Sequence, residues 1–516
     1  MNLLELFLNG ASRDERKTAI IDDGFELSFR NLLRASRGLA SVVAGATDRP
    51  TVGIFLPTCK EFVISYMAIL MAGRSTLPFN ILLSGEDLEF IARDARLDAV
   101  ITSKRFMEIM GREEAIARAV PKVICLEDVA GTRWKKMRLL ARGAFFRPRI
   151  VPEGELVTLL YTSGTTGRPK GVCLTHRNIV QDIESAVEVS GYTGDDIAVQ
   201  VLPLFHTFAL TVTMGAPLAR GGTSIAIKRF APDPVLDAIE RHRVSFLVAI
   251  PSMYRVLNRS QESRRRDVSS LRCAISGGEP LPGEVRDRFR ELFGLEILEG
   301  YGLTETSPVV SLNPPGANRP GSVGKPLRSV EVRIADEQGR TLEPGSTGEI
   351  LVRGPTVMLG YHERPEETSA VLSPDGWLRT GDMGRLDADG YLWITGRKKE
   401  MIKVGGEMVY PAEVEDCLSR HPAVADVGVI GVSDERRGEA PKAFVVLKEG
   451  ASVSGDELKA FCRERLPLYK VPREIAFRKE LPKAPTGKVI RRLLREGDSH
   501  SEAGPRAPCV RAEPGA

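Results

Sequence analysis

Over roughly the first 300 positions the apolar residues come in short unbroken runs. "TVGIFLP" (51–57), "DAVITS" (98–103), "ELVTLLYTS" (155–163), "VSFLVAIP" (244–251) and "LRCAISGGEPLP" (271–282) each read as a strand. Amphipathic stretches such as "KEFVISYMAILMAG" (60–73) fall between them at helical spacing. This alternation predicts an α/β fold with doubly wound, parallel sheets. Ligands in such sheets bind beyond the carboxyl ends of strands, where "TSGTTG" and "SGGE" both sit. From about 320 the texture changes. "VEVRIADEQGR", "GEILVRGPTVMLGY" and "GRLDADGYLWITGR" are short strands with Gly and Asp turns, which predict a small distorted β-barrel over about 310–396. A second αβ pattern follows: a helix at 411–420, strands "VADVGVIGV" and "KAFVVL", and a helix at 455–465. The expected domains are 1–396, a small α+β domain at 400–495, and a Gly/Pro/Ala-rich tail at 496–516 expected to be disordered.

Ile197 to Ala219 carries no charge and is long enough to span a membrane. Gln200, Pro203, His206 and Pro217 interrupt it, so it reads as a buried strand, loop and helix. The stretch "WKKMRLLARGAFFRPR" (134–149) mixes six basic residues with Trp134, Met137, Leu140, Phe145 and Phe146. It reads first as a surface helix tucked against the domain, and as the alternative it fits a peripheral contact with a membrane surface or an acyl carrier.

Length and charge narrow the classes. A chain of 516 residues implies several folded units. Lys and Arg number 72 against 68 Asp and Glu, a net charge of +4, which is no footprint for nucleic acid. Cys59, Cys125, Cys173, Cys273, Cys417, Cys462 and Cys509 stand singly without a C-x-x-C, which fits a reduced, cytoplasmic protein. No basic segment precedes the first apolar run, which argues against a signal peptide.

The stretch "LLYTSGTTGRPKGVCLTH" (159–176) carries the first chemistry. Glycines let backbone approach a ligand closely, and successive N–H groups make a nest for anions. Hydroxyls and Lys170 add donors and charge. This is a grip on phosphate, but no hydroxyl residue follows the lysine, so it is not a Walker loop.

"YTSGTTGRPKGV" resembles the signature of the adenylate-forming superfamily of acyl- and aryl-CoA synthetases, adenylation domains and luciferases. Further landmarks stand in the family's order: "LPLFHTFAL" (202–210), "SGGEPLP" (276–282), "EGYGLTETSP" (299–308), "RTGD" (379–382), "GRKKEMIKVGGEMVYPAEVE" (396–415) and "PKAPTGKVIRR" (482–492). The resemblance covers about 1–495. It implies that a carboxylate attacks the α-phosphate of ATP, and that a thiol then attacks the acyl adenylate. It implies that Thr162, Ser163, Gly164, Thr165, Thr166, Gly167 and Lys170 hold the β- and γ-phosphates. Glu305 would bind Mg²⁺, as one carboxylate with phosphates commonly does, and Thr304 would meet the α-phosphate. Gly277, Gly278 and Glu279 would line the adenine, with Tyr301 stacked on it and Gly302 beside it. Asp382 would accept the ribose hydroxyls, with Arg397 near ribose and phosphate. Lys488 would reach from the C-terminal domain to bridge carboxylate and α-phosphate oxygens. His206 would gate the acyl pocket or pack as a core residue. Lys399 would be the hinge between the domains, and Gly405 and Gly406 would let a pantetheine arm pass.

The resemblance leaves the acid open. Gly300 stands where malonate-type synthetases carry an arginine, which disfavours a dicarboxylate and suits an extended chain. The implied function is ATP-dependent activation of a medium- or long-chain fatty acid, with thioester formation on coenzyme A. An acyl-carrier-protein synthetase, an aryl-CoA ligase and a catalytically inactive nucleotide- or acyl-binding protein remain as alternatives. No carrier module or hydride-binding domain is visible, against a modular synthetase and a reductase.

Overall fold

The computed structural model describes residues 1–162, 168–434, 436–482 and 489–499. The chain divides into two compact units. One is Met1–Thr380 with Gly384–Ile394, and the other is Gly381–Met383 with the chain from Thr395 on.

The first unit is built on two large sheets. Among the described residues the larger has nine strands, with Ile297–Gly302, Cys273–Ser276, Phe246–Ala249, Ile197–Gln200, Thr223–Ala226 and Thr18–Asp22 adjacent in that order and mutually parallel. Every residue of Phe246–Ala249 and of Cys273–Ser276 is buried, as befits strands covered on both faces. The second sheet has seven strands, with Leu156–Thr162, Ser75–Pro78, Thr51–Phe55 and Ala99–Thr102 adjacent and parallel. The helix Lys60–Met71 is apolar around nearly its whole circumference and correspondingly buried.

The region expected to be barrel-like divides three ways. Glu331–Ala335, Gly348–Arg353, Leu378–Leu386 and Leu392–Arg397 form a four-stranded sheet. Val309–Leu312 and Lys325–Pro326 extend the nine-stranded sheet, while Gly360–Tyr361 pairs with Lys170–Thr175 on the seven-stranded one. Short strands announce themselves by pattern; their partners are a matter of tertiary packing. Ile197–Ala219 is a strand, a loop and the wide helical turn Ala209–Gly215, as its breakers imply. No helix among the described residues is long and apolar enough to cross a membrane.

The second unit packs Pro411–Ser419 and Gly455–Arg463 on a five-stranded sheet. Val414, Leu418, Val429, Ala443, Val445 and Leu458 make its core. Ser454 caps the second helix in a reciprocal arrangement with Glu457. A last helix, Arg491–Ser499, runs past the expected start of the tail at 496.

Candidate active site

The stretch expected to hold phosphate connects two antiparallel strands, Leu156–Thr162 and Lys170–Thr175, with Thr162 directly opposite Lys170. The first of these strands lies in the parallel sheet as its apolar run predicts, paired with Ser75–Pro78, and the antiparallel return strand is the part that the pattern did not show. Ser163, Gly164, Thr165, Thr166 and Gly167 lie outside the described residues, as does Lys488. The second strand runs into the helix His176–Ser190, capped reciprocally by Thr175 and Asn178.

That helix fixes the segment carrying Thr304 and Glu305. Its buried Asp182 accepts from the Val309 amide at 2.8 Å, and the Asn178 side chain donates to the Pro355 and Val357 carbonyls at 2.7 and 2.9 Å. Burial pushes the Asp182 carboxyl well above its ordinary range. Thr304–Thr306 is a single tight helical turn. The Thr207 hydroxyl donates to the Thr304 hydroxyl at 3.2 Å.

Glu305 accepts from the Tyr361 hydroxyl at 2.9 Å. Burial and the Glu305 charge push the Tyr361 phenol upward, so it stays a donor. The ring of Tyr361 lies 5.4 Å from the Lys170 ammonium, which also pairs with Glu367. Tyr361 and Glu367 were not foreseen. They lie more than fifty residues from Glu305 in the chain, and nothing in "MLGYHERPEE" (358–367) marks them. No group of three or more His, Cys, Asp or Glu side chains among the described residues could hold a metal. An oriented carboxylate such as Glu305 fits Mg²⁺ that takes its other ligands from phosphate and water.

The loop "SGGEPLP" leaves the end of the strand Cys273–Ser276. Gly278 has φ +87°, and a Cβ on Gly277 would stand 3.3 Å from the Phe208 ring. Glu279 and Tyr301 are half-buried. A Cβ on Gly302 would collide with the Pro308 carbonyl oxygen at 1.9 Å, so this position admits glycine alone. Glu299 is buried and accepts from the Leu281 amide at 3.1 Å, bracing the far end of the loop. Burial raises its carboxyl to about 7.

One cavity of about 270 Å³ brings several of these groups together. Leu77, Phe79, Leu83 and Ile91 supply apolar wall; Thr162, His206, Thr207 and Thr304 supply polar groups. No charged side chain among the described residues lines it. The His206 ring is exposed into this space yet enclosed by protein, and that desolvation lowers its pKa to about 4. Gly300 behaves differently from expectation. The space a side chain would take is filled by the Ser311 carbonyl oxygen at 3.1 Å and Leu312 at 3.2 Å, so its lack of a side chain opens no wall there.

The second unit holds its own groups. The Arg397 guanidinium meets buried Asp382 at 3.1 Å. Lys399 lies in the short turn Lys398–Glu400. Gly405 and Gly406 are the two central residues of the hairpin joining Ile402–Val404 to Glu407–Val409. Their φ values of +60° and +93° are those of a type I′ turn, which alone accounts for both glycines. Arg491, three residues beyond Lys488, pairs with Glu400 at 2.7 Å and with both oxygens of Glu415 at 2.9 and 2.7 Å. Burial holds the Glu415 carboxyl above its ordinary value, partly offset by Arg491.

An α/β scaffold of two large sheets, an oriented carboxylate next to a cavity that no charged side chain among the described residues lines, and a small α+β unit fit one class, that of adenylate-forming enzymes. The AMP-binding enzyme domain matches residues 7–362, and the AMP-binding enzyme C-terminal domain matches 413–488. A long-chain-fatty-acid–CoA ligase of Bacillus subtilis is 36% identical over 97% of this chain and 95% of its own. The crystal structure of an anthranilate CoA ligase with anthranoyl-AMP superposes with a TM-score of 0.89, at 30% identity, covering 98% of each chain. The o-succinylbenzoate coenzyme A synthetase of Bacillus subtilis, in complex with ATP and magnesium ion, gives a TM-score of 0.82 at 32% identity, covering 95% and 99%. The chain belongs to the AMP-binding enzyme family, and within it to the AMP-forming acyl-CoA synthetases.

Proposed function

We propose that this enzyme activates a medium- or long-chain fatty acid with ATP and Mg²⁺ and transfers it to coenzyme A. The observation that carries the acid assignment is the cavity. Leu77, Phe79, Leu83 and Ile91 give it an apolar side, and no charged side chain among the described residues is there to pair a second carboxylate. The similarity to a fatty-acid ligase supports the same reading. Aryl acids are the second reading, since ligases of anthranilate and o-succinylbenzoate share the fold.

In the first step a carboxylate oxygen attacks the α-phosphorus and pyrophosphate leaves. In the second the thiol sulfur attacks the acyl carbonyl, AMP leaves, and the thiol proton passes to water. Two anions meet in the first step, so the site must supply positive charge and orientation. Thr162, the loop Ser163–Gly167 and Lys170 would hold the terminal phosphates. Glu305, oriented by Tyr361, would hold Mg²⁺, which when bound neutralises phosphate charge. Thr304, hydrogen-bonded to Thr207, would orient the α-phosphate. Gly277, Gly278, Glu279, Tyr301 and Gly302 would line the base; Asp382 and Arg397 would take the ribose. Lys488 would neutralise charge on the reacting oxygens, and neutral His206 would border the acyl chain. Lys399 would be the hinge, and Gly405 and Gly406 would border the pantetheine.

The test is pyrophosphate release across acids from acetate to oleate, with benzoate and a cinnamate. Each is offered with coenzyme A, with acyl carrier protein or with neither. Release peaking at a fatty acid and raised by coenzyme A is expected. A peak at an aryl acid, or stimulation by the carrier alone, overturns the assignment. Lys488→Ala should bind ATP yet release no pyrophosphate.

A further inference from the structure

The helix Arg133–Phe145 faces two ways. Its inner side meets the helix Phe29–Ala46 almost backbone to backbone. A Cβ on Gly143 would stand 2.5 Å from the Gly38 amide nitrogen, and one on Gly38 would stand 2.8 Å from Leu139. Leu139 and Gly143 therefore make the docking face. The other large apolar residues are exposed: Trp134 is 80% exposed, Met137 53%, Phe145 89% and Leu140, to one side of these three, 45%.

Positions 134, 137, 141 and 145 fall on one helical stripe, i, i+3, i+7 and i+11, spanning about 16 Å at the usual rise. Ala141, also exposed, completes it. Arg138 and Arg142 lie along one side of the stripe, and Arg133 along the other. From Arg133 through Arg149 there are seven basic residues and no acidic one. Of the cations on the helix, only Lys135 has an acidic partner among the described residues, Asp128 at 3.9 Å.

We propose that this outer face is a docking surface for an anionic lipid bilayer, with Trp134, Met137 and Phe145 entering the headgroup boundary. An apolar stripe bearing Trp and Phe, flanked by cations on both sides, is suited to lie in the plane of a charged interface. The cations complement anionic headgroups, and the apolar side chains gain burial they lack in the folded chain. An acidic protein partner would account for the cations but leaves the outward Trp and Phe without a role. The inference stands on this helix alone and does not depend on which acid the enzyme takes.

The test uses the full chain with vesicles of pure phosphatidylcholine and vesicles containing phosphatidylglycerol. Co-sedimentation should be several-fold greater on the anionic vesicles and fall with salt. Tryptophan emission should shift to the blue, and Trp134→Phe should abolish the shift, because Trp377 is already buried and Trp393 half-buried. Met137→Ser with Phe145→Ser, and separately Arg138→Glu with Arg142→Glu, should each abolish binding. Both double variants should keep the melting temperature and the rate of pyrophosphate release on a water-soluble acid. Equal binding to both vesicle types, no binding, or wild-type binding by the variants overturns the proposal. So does finding that these residues mediate self-association or carrier-protein binding instead.

Discussion

The hydroxyl of Tyr361 donates to the Glu305 carboxylate at 2.9 Å, and the same ring lies 5.4 Å from the Lys170 ammonium. One side chain thus touches the metal-binding candidate and stands beside the phosphate-binding candidate. It does so because Gly360–Tyr361 pairs with the strand that begins at Lys170.

Tyr361→Phe removes that hydrogen bond and little else. A hydrogen bond to a charged group contributes about 1.5–3 kcal/mol, or roughly tenfold and more in an equilibrium. The Mg²⁺ concentration for half-maximal pyrophosphate release should rise by about tenfold, with the KM for the acid unchanged. Superimposable Mg²⁺ titrations would show that Glu305 needs no such support.

His206 should be neutral throughout the working range. Enclosure lowers its pKa to about 4, so the imidazole carries its proton only below that value. The pH–rate profile between 5.5 and 8 should hold no inflection that His206→Ala removes. The same variant should raise KM for the acid more than it lowers kcat, since a neutral ring bordering a cavity contributes contact rather than proton transfer. An inflection near 6.5 that vanishes in the variant would assign the histidine an acid–base role.

Gly405 separates a structural need from a functional one. Asn tolerates positive φ and suits the first position of a type I′ turn, so Gly405→Asn should keep stability. Gly405→Val should cost about 1–3 kcal/mol, since a β-branched residue is strained there. If pantetheine passes this turn, Asn should slow thioester formation from preformed adenylate while leaving pyrophosphate release unchanged. Wild-type thioester formation in Gly405→Asn would reduce the glycine to turn chemistry.

Arg491→Met strands Glu400 and Glu415. Removing one partner of a buried ion pair costs about 3–5 kcal/mol. Glu415 already sits above its ordinary pKa because of burial, and without Arg491 it rises further. A carboxyl raised in the folded state favours folding below its unfolded pKa and loses that contribution as pH rises through the folded pKa. The variant's loss of melting temperature should therefore be smaller at pH 5 than at pH 8. An equal loss at both values would mean that Glu415 keeps its charge without the arginine.

Much of the architecture could be read from the chain because strand and helix periods are local properties. Thr51–Phe55, Phe246–Ala249 and Cys273–Ser276 are strands where unbroken apolar runs predict them. The conformational reason for Gly278 and Gly405 was not legible: the family resemblance gave them to adenine and pantetheine, and their positive φ emerges only in the folded backbone. Strand partners were not legible either. Lys170–Thr175 returns antiparallel to Leu156–Thr162, and the barrel-like region gives strands to three sheets, because pairing is set by tertiary packing rather than by the local pattern. The same limit hid Tyr361 behind Glu305, Asp182 behind Val309 and Arg491 between Glu400 and Glu415. Residue types that suit phosphate and Mg²⁺ were determined by the sequence itself. Which side chains hold them still, and that Gly300 faces Leu312 rather than open space, were decided only when the chain folded and distant polar groups had to find partners away from water.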